Sequence, residues 1–375
     1  MLLKFAVQNF RGFKDRIELD LSHPNHYDFN TYAVKNGIVK NGIIYGPNGS
    51  GKSNFGLAIF DIVNHLSQKV KKIDYYRNFT YAGNPLGFVK FEYTFCFDNK
   101  VVEYIYSKNH EADLKEEMLS VDGSLYLKRT AQELYTGEFI MAEQIKRDFL
   151  ASERQVSLLS YLWSNYPLAE NHVLARLRSF VDTMLWYQCL DCREFIGYDN
   201  TPTDNIEEYI IKNDLVGDFA HFLEEVSGQQ FHLENSNSQH NPTERPVLMS
   251  RYDDSGITAR IPFFQIASTG TKALELLYFW MRRAVKASFI FIDEFDAFYH
   301  FKLSFAVCQQ LFQMPNCQLF LSSHNTYLMT NDLLRPDCHF LLDEGKIKPL
   351  VDCTEKELRF AHNIEKLYRG GTFVI

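Results

Sequence analysis

Gly42-Ile43-Ile44-Tyr45, followed at once by Gly46-Pro47-Asn48-Gly49-Ser50-Gly51-Lys52-Ser53, is the stretch on which the reading of this chain turns. The first four residues read as a short apolar strand. The next eight fit G-x-x-x-x-G-K-[ST] at every position, and the residues from Asn54 to about position 70 read as a helix. A glycine-rich turn between strand and helix lets successive backbone N–H groups curl round a phosphate, and the helix start adds partial positive charge. In this reading Gly46, Pro47, Asn48, Gly49, Ser50 and Gly51 form the cradle, with Asn54 just behind it. Lys52 reaches the β and γ phosphates and Ser53 offers a hydroxyl to Mg2+, so ATP and Mg2+ are the expected pair.

Ser288-Phe289-Ile290-Phe291-Ile292 is an apolar run ending in Asp293-Glu294. A buried parallel strand of this kind puts its two carboxylates where open α/β sheets bind ligands. Asp293 would hold Mg2+ and Glu294 would polarise the attacking water as general base. More than half of the chain separates Lys52 from Asp293, far more than simple P-loop kinases or small GTPases allow. A large insertion must therefore divide one nucleotide site, which is the layout of the ATP-binding cassette and especially of its chromosome-maintenance and DNA-repair branch. That layout predicts a Ser/Gly-rich helix start upstream of the carboxylates, and Ala267-Ser268-Thr269-Gly270-Thr271-Lys272 supplies it. Ser268 and Gly270 would face a γ-phosphate held by the opposite subunit. It also predicts a histidine at the tip of the next strand, where Gln318-Leu319-Phe320-Leu321-Ser322-Ser323 runs into His324. Its imidazole can bond the γ-phosphate. Asp296 reads as the residue of the loop that crosses between subunits.

The expected fold is α/β: a P-loop NTPase head of the ATP-binding-cassette (ABC-ATPase) kind, with a mixed sheet and an α-helical insertion. Residues 1–135 form an N-terminal lobe, opened by a hairpin in which Leu3, Phe5, Val7 and Ile17, Leu19, Leu21 alternate about a turn at Gly12. Residues 136–230 read as an all-helical insertion, since Val173, Leu174, Leu177, Phe180, Val181 and Met184 share one helical face. Heptads are not sustained there, so no long coiled-coil arm is expected. Residues 231–375 form a C-terminal lobe, with a hairpin about Asp253-Asp254-Ser255-Gly256 and then alternating helix and strand.

Composition narrows the rest. The 375 residues carry 39 Lys and Arg against 47 Asp and Glu, a net charge of −8, which excludes a chain coated with basic residues. Any nucleic-acid site must be a local patch. Lys69, Lys71, Lys72 and Arg77, and Arg176 with Arg178, are the candidates, with solvated helix ends as the plainer reading. No apolar run approaches the roughly 20 residues that span a bilayer. Lys4 and Arg11 come too early for a signal peptide, so a cytoplasmic protein is expected. Seven cysteines in no framework fit reduced thiols. Cys189 and Cys192 make a single C-x-x-C that lacks the second pair a zinc site needs. There is no tandem D-x-D with an upstream Glu and no H-N-H cluster of the nuclease kind; Asp253-Asp254 reads as a turn.

At several separated places the chain resembles bacterial ATPases of the RloA and AriA type, AAA-family relatives of RecF, OLD-type and SMC ATPases. VQNFRGFKD at 7–15 is similar to that family's opening strand and turn, ASTGTKAL at 267–274 to its shortened signature, and DEFDAFYH at 293–300 to its acidic motif. SHNTYLM at 323–329 and HNIEKLYRGGTF at 362–373 are similar as well. The resemblance implies a homodimer or larger assembly with two nucleotides between the heads, and it places Asn9 and Arg11 near the nucleotide. It further implies antiviral defence against phage beside a separate effector, a nuclease. A RecF-like DNA-repair ATPase that binds nucleic acid, and a scaffold whose assembly is timed by slow hydrolysis, stand as alternatives. No membrane partner is expected.

Overall fold

The computed structural model describes residues 1–67, 78–137, 142–151, 156–189, 191–198, 206–236 and 246–375. The chain opens with the antiparallel pair β1 (Leu2–Gln8) and β2 (Ile17–Asp20), then the short β3 (Val34–Lys35) and β4 (Ile38–Val39). β5 (Asn41–Tyr45) leads into α1 (Lys52–Ile59) and α2 (Asp61–Leu66). A meander follows: β6 (Val89–Phe97), β7 (Lys100–Lys108), β8 (Leu114–Val121), β9 (Ser124–Arg129) and β10 (Leu134–Tyr135). Three helices come next, α3 (Ala142–Ala151), α4 (Leu158–Asn165) and α5 (Val173–Asp182), then β11 (Leu185–Gln188) and β12 (Asp191–Gly197). After α6 (Ile206–Lys212) and α7 (Val216–Ser227) lies a small sheet of β13 (Leu233–Asn235), β14 (Leu248–Asp254) and β15 (Ile257–Pro262). The rest is α8 (Phe263–Ile266), α9 (Thr269–Arg283), β16 (Phe289–Asp293), α10 (Phe301–Phe312), β17 (Gln318–Ser323), β18 (His339–Asp343), β19 (Lys346–Pro349) and α11 (Ile364–Arg369).

Two seven-stranded sheets carry the fold. The central one runs β12-β11-β16-β17-β5-β18-β19, parallel from β11 to β18 with an antiparallel strand at each edge. β5, β16 and β17 are buried along their whole length, as parallel strands covered on both faces must be. The second sheet, β10-β9-β8-β7-β6-β1-β2, is antiparallel, and β6 alternates buried with half-buried residues, as a sheet packed on one face does. The mixed α/β class expected from the sequence is thus what the chain adopts.

Helix α1 lies between the two sheets. On one side Gly56 meets the Phe291 ring of β16; on the other Phe55 packs edge-on against Phe5 of β1, ring centroids 5.6 Å apart, and against Phe13 at 6.1 Å. The Tyr93 hydroxyl donates to the Ala58 carbonyl at 3.1 Å. The sheets are also joined by one buried amide: Gln318 accepts from the Leu2 N–H at 2.6 Å and donates to the Leu2 and Val39 carbonyls. A buried ion pair, Lys108 to Asp61 at 2.6 Å with Tyr106 donating to the same oxygen, fixes α2 to β7. Next to it His65, Tyr104 and Glu117 form a buried chain, and Glu117 also accepts from the Leu158 N–H at the start of α4.

The segment read as all-helical differs from that expectation. It supplies helices α3 to α7, but β11 and β12 lie in the central sheet, with β11 parallel to β16. Leu185-Trp186-Tyr187-Gln188 is a short run with its first three residues buried. Such a run has no alternation to mark it as a strand, so periodicity assigns it to its helical neighbours. The single helix expected from 54 to about 70 is two pieces, with Phe60 at the joint. Among the described residues no helix is long and apolar enough to cross a membrane.

Phe55 is fully buried and is the side chain through which α1 grips both β1 and the Phe13 turn. We expect Phe55→Ala to cost about 3–5 kcal/mol, read as a lower urea midpoint with an unchanged slope.

Candidate functional site

The site begins at the carboxyl end of β5. Gly46 runs so close to β18 that a Cβ there would stand 2.2 Å from the Leu342 carbonyl oxygen. Gly51, the residue before α1, has φ +100°, a conformation that L side chains avoid, and a Cβ would strike the Phe13 ring at 2.8 Å. Between them Pro47, Asn48 and Gly49 are exposed. The Lys52 ammonium folds back over the loop and donates to the carbonyls of Gly46 at 2.9 Å and Pro47 at 3.1 Å. Burial lowers the pKa of Lys52, and the carboxylates of Asp293, Glu294 and Asp296 oppose that. The Ser50 hydroxyl is buried without a partner.

The parallel register brings the other candidates to the same level. Ile292 of β16 pairs with Leu321 of β17, and Ser322 pairs with Ile44 of β5. Asp293 is therefore beside β17, whose end at Ser323 leads into His324 next to the phosphate loop. Asp293 is fully buried; its Oδ1 accepts from the Ser322 hydroxyl at 2.5 Å, and its Oδ2 has no partner. Burial raises its pKa, the Ser322 and Ser53 hydroxyls and Lys52 pull it back, and Glu294 pushes it up. Glu294 is half-buried with φ +49°, the left-handed region that a non-glycine residue adopts at a cost, and its N–H donates to the Ser322 hydroxyl at 2.8 Å.

His324 is exposed, with Nδ1 3.4 Å from the Lys52 ammonium. Burial and the Lys52 charge lower its pKa, so the ring is neutral. An ammonium can only donate, so Nδ1 accepts and the ring proton sits on Nε2. Asp296 accepts from the Ser323 hydroxyl at 2.8 Å, and burial raises its pKa. Arg11 donates to the Asn54 side chain at 3.1 Å, which puts the opening turn against the first turn of α1. Asn9 and Arg11 both have left-handed backbones, with φ 58° and 48°. The Asn9 amide donates to the Asn84 carbonyl at 3.3 Å, and its buried Oδ1 has no partner.

The signature stands apart from this cluster. Ser268 is exposed and caps α9, its hydroxyl accepting from the Thr271 N–H at 3.1 Å. A Cβ on Gly270 would lie 2.9 Å from the Phe298 carbonyl, so the helix start rests on the segment just after Asp296. Among the described residues no hydrogen bond joins Ser268 or Gly270 to the phosphate loop, Asp293, Glu294 or His324. The loop after His324 is latched to α11, with Thr326 donating to Glu365 at 3.1 Å and the Arg369 guanidinium 5.5 Å from the Tyr327 ring centre.

The donor set fits both expected groups. Ser50 is an orphaned hydroxyl within the phosphate loop and Lys52 a cation at its mouth, which suits phosphate oxygens. The bare Oδ2 of Asp293, with the Ser53 hydroxyl near enough to lower that carboxyl's pKa, is the hard-oxygen set that suits Mg2+.

Sequence reading missed Ser322 and Ser323, the hydroxyls that hold Asp293, Glu294 and Asp296. Of the basic candidates, Lys69, Lys71, Lys72 and Arg77 lie outside the described residues. Arg176 is 3.5 Å from Asp98, and Arg178 is 3.6 Å from Asp182. Cys189 is buried and burial raises its thiol pKa, which keeps it protonated; the Cys192 side chain lies outside the description.

A glycine-rich phosphate loop between a buried parallel strand and a helix, with an acidic strand end beside it, defines a P-loop NTPase. The chain belongs to the family described as "AAA domain, putative AbiEii toxin, Type IV TA system", whose match spans residues 43–330, and so has an AAA-type ATPase fold. Its sequence matches no curated protein. Among solved structures it is similar to an SMC head bound to the C-terminal winged-helix domain of ScpA, with 13% identity, 92% of this chain and 96% of that one covered, and a TM-score of 0.46. The SMC head domain from Thermotoga maritima gives 14% identity, 92% and 97% coverage, and a TM-score of 0.46. The Pyrococcus furiosus SMC head with an extended coiled coil, bound to the C-terminal domain of ScpA, gives 14% identity, 92% and 95% coverage, and a TM-score of 0.42.

Helix α9 carries one group that no reading of the motifs explains. Glu275 is fully buried with neither carboxylate oxygen partnered, and burial, with Glu207 adding to it and Lys272 opposing, pushes its pKa up to about 9 from 4.5. Between those two values the folded chain keeps a proton that the unfolded chain has lost. Stability therefore falls as pH rises through that window, by at most ~1.4 kcal/mol per pH unit. Glu275→Gln should flatten that slope and raise the melting temperature at pH 8 relative to wild type, as thermal unfolding from pH 5 to 9 would show.

Proposed function

We propose that the chain binds and hydrolyses ATP with Mg2+ as a cassette-type ATPase and serves as the regulatory subunit of a two-part antiviral defence system. The observation that carries the ATPase reading is the convergence of Lys52, the bare Oδ2 of Asp293, Glu294 and His324 at one end of the central sheet. In this reading the phosphate loop from Gly46 to Ser53 holds the phosphates, and Lys52 gives up its two carbonyls to bind the β and γ oxygens. Asn9, Arg11 and Asn54 flank the loop. Ser53 and Asp293 hold Mg2+, which supplies charge neutralisation across the phosphates when bound. Glu294 takes a proton from the attacking water. His324, neutral and with its proton on Nε2, is set to donate to the γ-phosphate.

Ser268 and Gly270 are exposed or half-exposed and unconnected to this cluster, which supports their acting on the site of a second copy, with Asp296 in the loop between. The two-part role rests on the family to which the chain belongs, described by a putative toxin and a toxin–antitoxin system, and on the sequence resemblance described above. We take the partner to be a separate effector, a nuclease, held through the helical middle of the chain at 136–230. The ATP-held dimer would fix the spacing of two such surfaces.

ATP binding and turnover test the reading. Lys52→Ala should bind ATP poorly, since it loses charge-assisted bonds to phosphate, while still unfolding cooperatively at a temperature lowered only by the loss of its bonds to the Gly46 and Pro47 carbonyls. Glu294→Gln should bind ATP normally and turn it over about 10²-fold more slowly or worse. It should also sediment as an ATP-dependent dimer that Ser268→Arg prevents. Equal ATP affinity in Lys52→Ala, or near-normal turnover in Glu294→Gln, would remove the assignment.

A further inference from the structure

Ser322 is fully buried near the end of β17, and three consecutive residues of the acidic segment are bound to it. Its hydroxyl donates to Asp293 Oδ1 at 2.5 Å, Ser322 Oγ accepts from the Glu294 N–H at 2.8 Å, and the Ser322 carbonyl accepts from the Phe295 N–H at 3.3 Å. The proton's direction is not open to choice. A backbone N–H can only donate, so the Ser322 oxygen is an acceptor towards Glu294, and its single proton goes to Asp293.

Two consequences follow from that one hydroxyl. Asp293 has two oxygens, and Ser322 occupies one, so the carboxylate cannot turn about its last bond without losing a buried hydrogen bond. Oδ2 is thereby fixed as the oxygen without a partner. Glu294, meanwhile, has a left-handed backbone, which persists only where its surroundings over-determine it. The bonds to its N–H and to the next N–H hold that conformation, and with it the direction in which the Glu294 side chain leaves the sheet. The adjacent serine cannot take over. The Ser323 hydroxyl donates to Asp296 and accepts from the Asn325 N–H at 2.9 Å, so it is already committed.

We propose that Ser322 is a positioning residue for the ATPase centre, one hydroxyl that both selects the Asp293 oxygen presented to the metal and sets the Glu294 backbone from which the base projects. The proposal rests on the ATPase reading for its chemistry, and on this chain's own hydrogen bonds for its geometry. A serine that merely caps a buried strand end would affect stability alone.

The test uses the full chain as wild type, Ser322→Ala, Ser322→Thr and Glu294→Gln. Four quantities are measured: melting temperature, affinity for a fluorescent ATP analogue in EDTA, affinity of the ATP-loaded protein for Mn2+ by electron paramagnetic resonance, and kcat with KM. Ser322→Ala should keep its nucleotide affinity in EDTA. Its Mn2+ affinity and kcat should each fall about 10–100-fold, the range for losing a partner behind a metal ligand, with KM for ATP little changed. Ser322→Thr, which keeps the hydroxyl, should restore most of both; if the alanine variant fails to fold, Ser322→Cys, which keeps the size and not the strong donor, takes its place. Wild-type Mn2+ affinity and kcat in the variant lacking the hydroxyl would overturn the proposal. So would equal losses in that variant and in Ser322→Thr, which would mark a packing role. Failure of the ATPase reading shows separately, as wild-type turnover that Glu294→Gln does not abolish.

Discussion

Parallel pairing of β16, β17 and β5 is the constraint on which the site depends. These strands come from positions 289–293, 318–323 and 41–45, and only their hydrogen-bond register puts Asp293, Ser322 and the phosphate loop at one level. A register slip by one residue would send the side chains of a strand to the opposite face. Full burial on both faces makes such a slip costly, because every residue of β5, β16 and β17 would have to be repacked. The precision of the site is thus a property of the sheet, and the loops inherit it.

Much of this could be read without coordinates, for reasons that differ from place to place. The phosphate loop is legible because its glycines, lysine and serine each answer a local demand of backbone or phosphate. Asp293-Glu294 and His324 are legible because each ends a visibly apolar strand. The β1–β2 hairpin is legible from strict alternation, and the pairing of Val7 with Ile17 and Phe5 with Leu19 follows it. What could not be read are the features that need a partner far along the chain. Nothing in Leu185-Trp186-Tyr187-Gln188 announces that it pairs with β16. Ser322 looks like any serine before a histidine until Asp293 and Glu294 are placed beside it. Glu275 follows the polar start of a helix and would pass for a surface residue, yet it is fully enclosed.

The buried polar and ionisable groups of the interior divide into two kinds. Lys108 with Asp61, and Glu117 with His65 and Tyr104, have partners within bonding distance, so their burial is compensated by contacts between α2, β7, β8 and α4. Asp293, Glu275 and the Asn9 amide each have an oxygen buried and unmet. Buried polar atoms without partners are few in native chains because each carries a desolvation penalty. Of the three, Asp293 belongs to the cluster at the sheet end and Asn9 to the turn beside it, whereas Glu275 lies on α9.

The position of β5 also governs how the chain can be made. It is the third strand from one edge of the central sheet, flanked by β17 and β18, and both flanking strands are encoded near the other end of the sequence. On a ribosome that adds roughly 5–20 residues per second, β5 would leave the tunnel many seconds before either neighbour exists. The antiparallel sheet has no such delay, since β6 to β9 pair with strands made next to them. Folding from the amino terminus therefore begins with the meander and α1. Asn41 to Tyr45, with Ile43, Ile44 and Tyr45 as its apolar part, stays unpaired meanwhile, and a nascent chain in that state is the natural client of a chaperone that shields extended apolar segments.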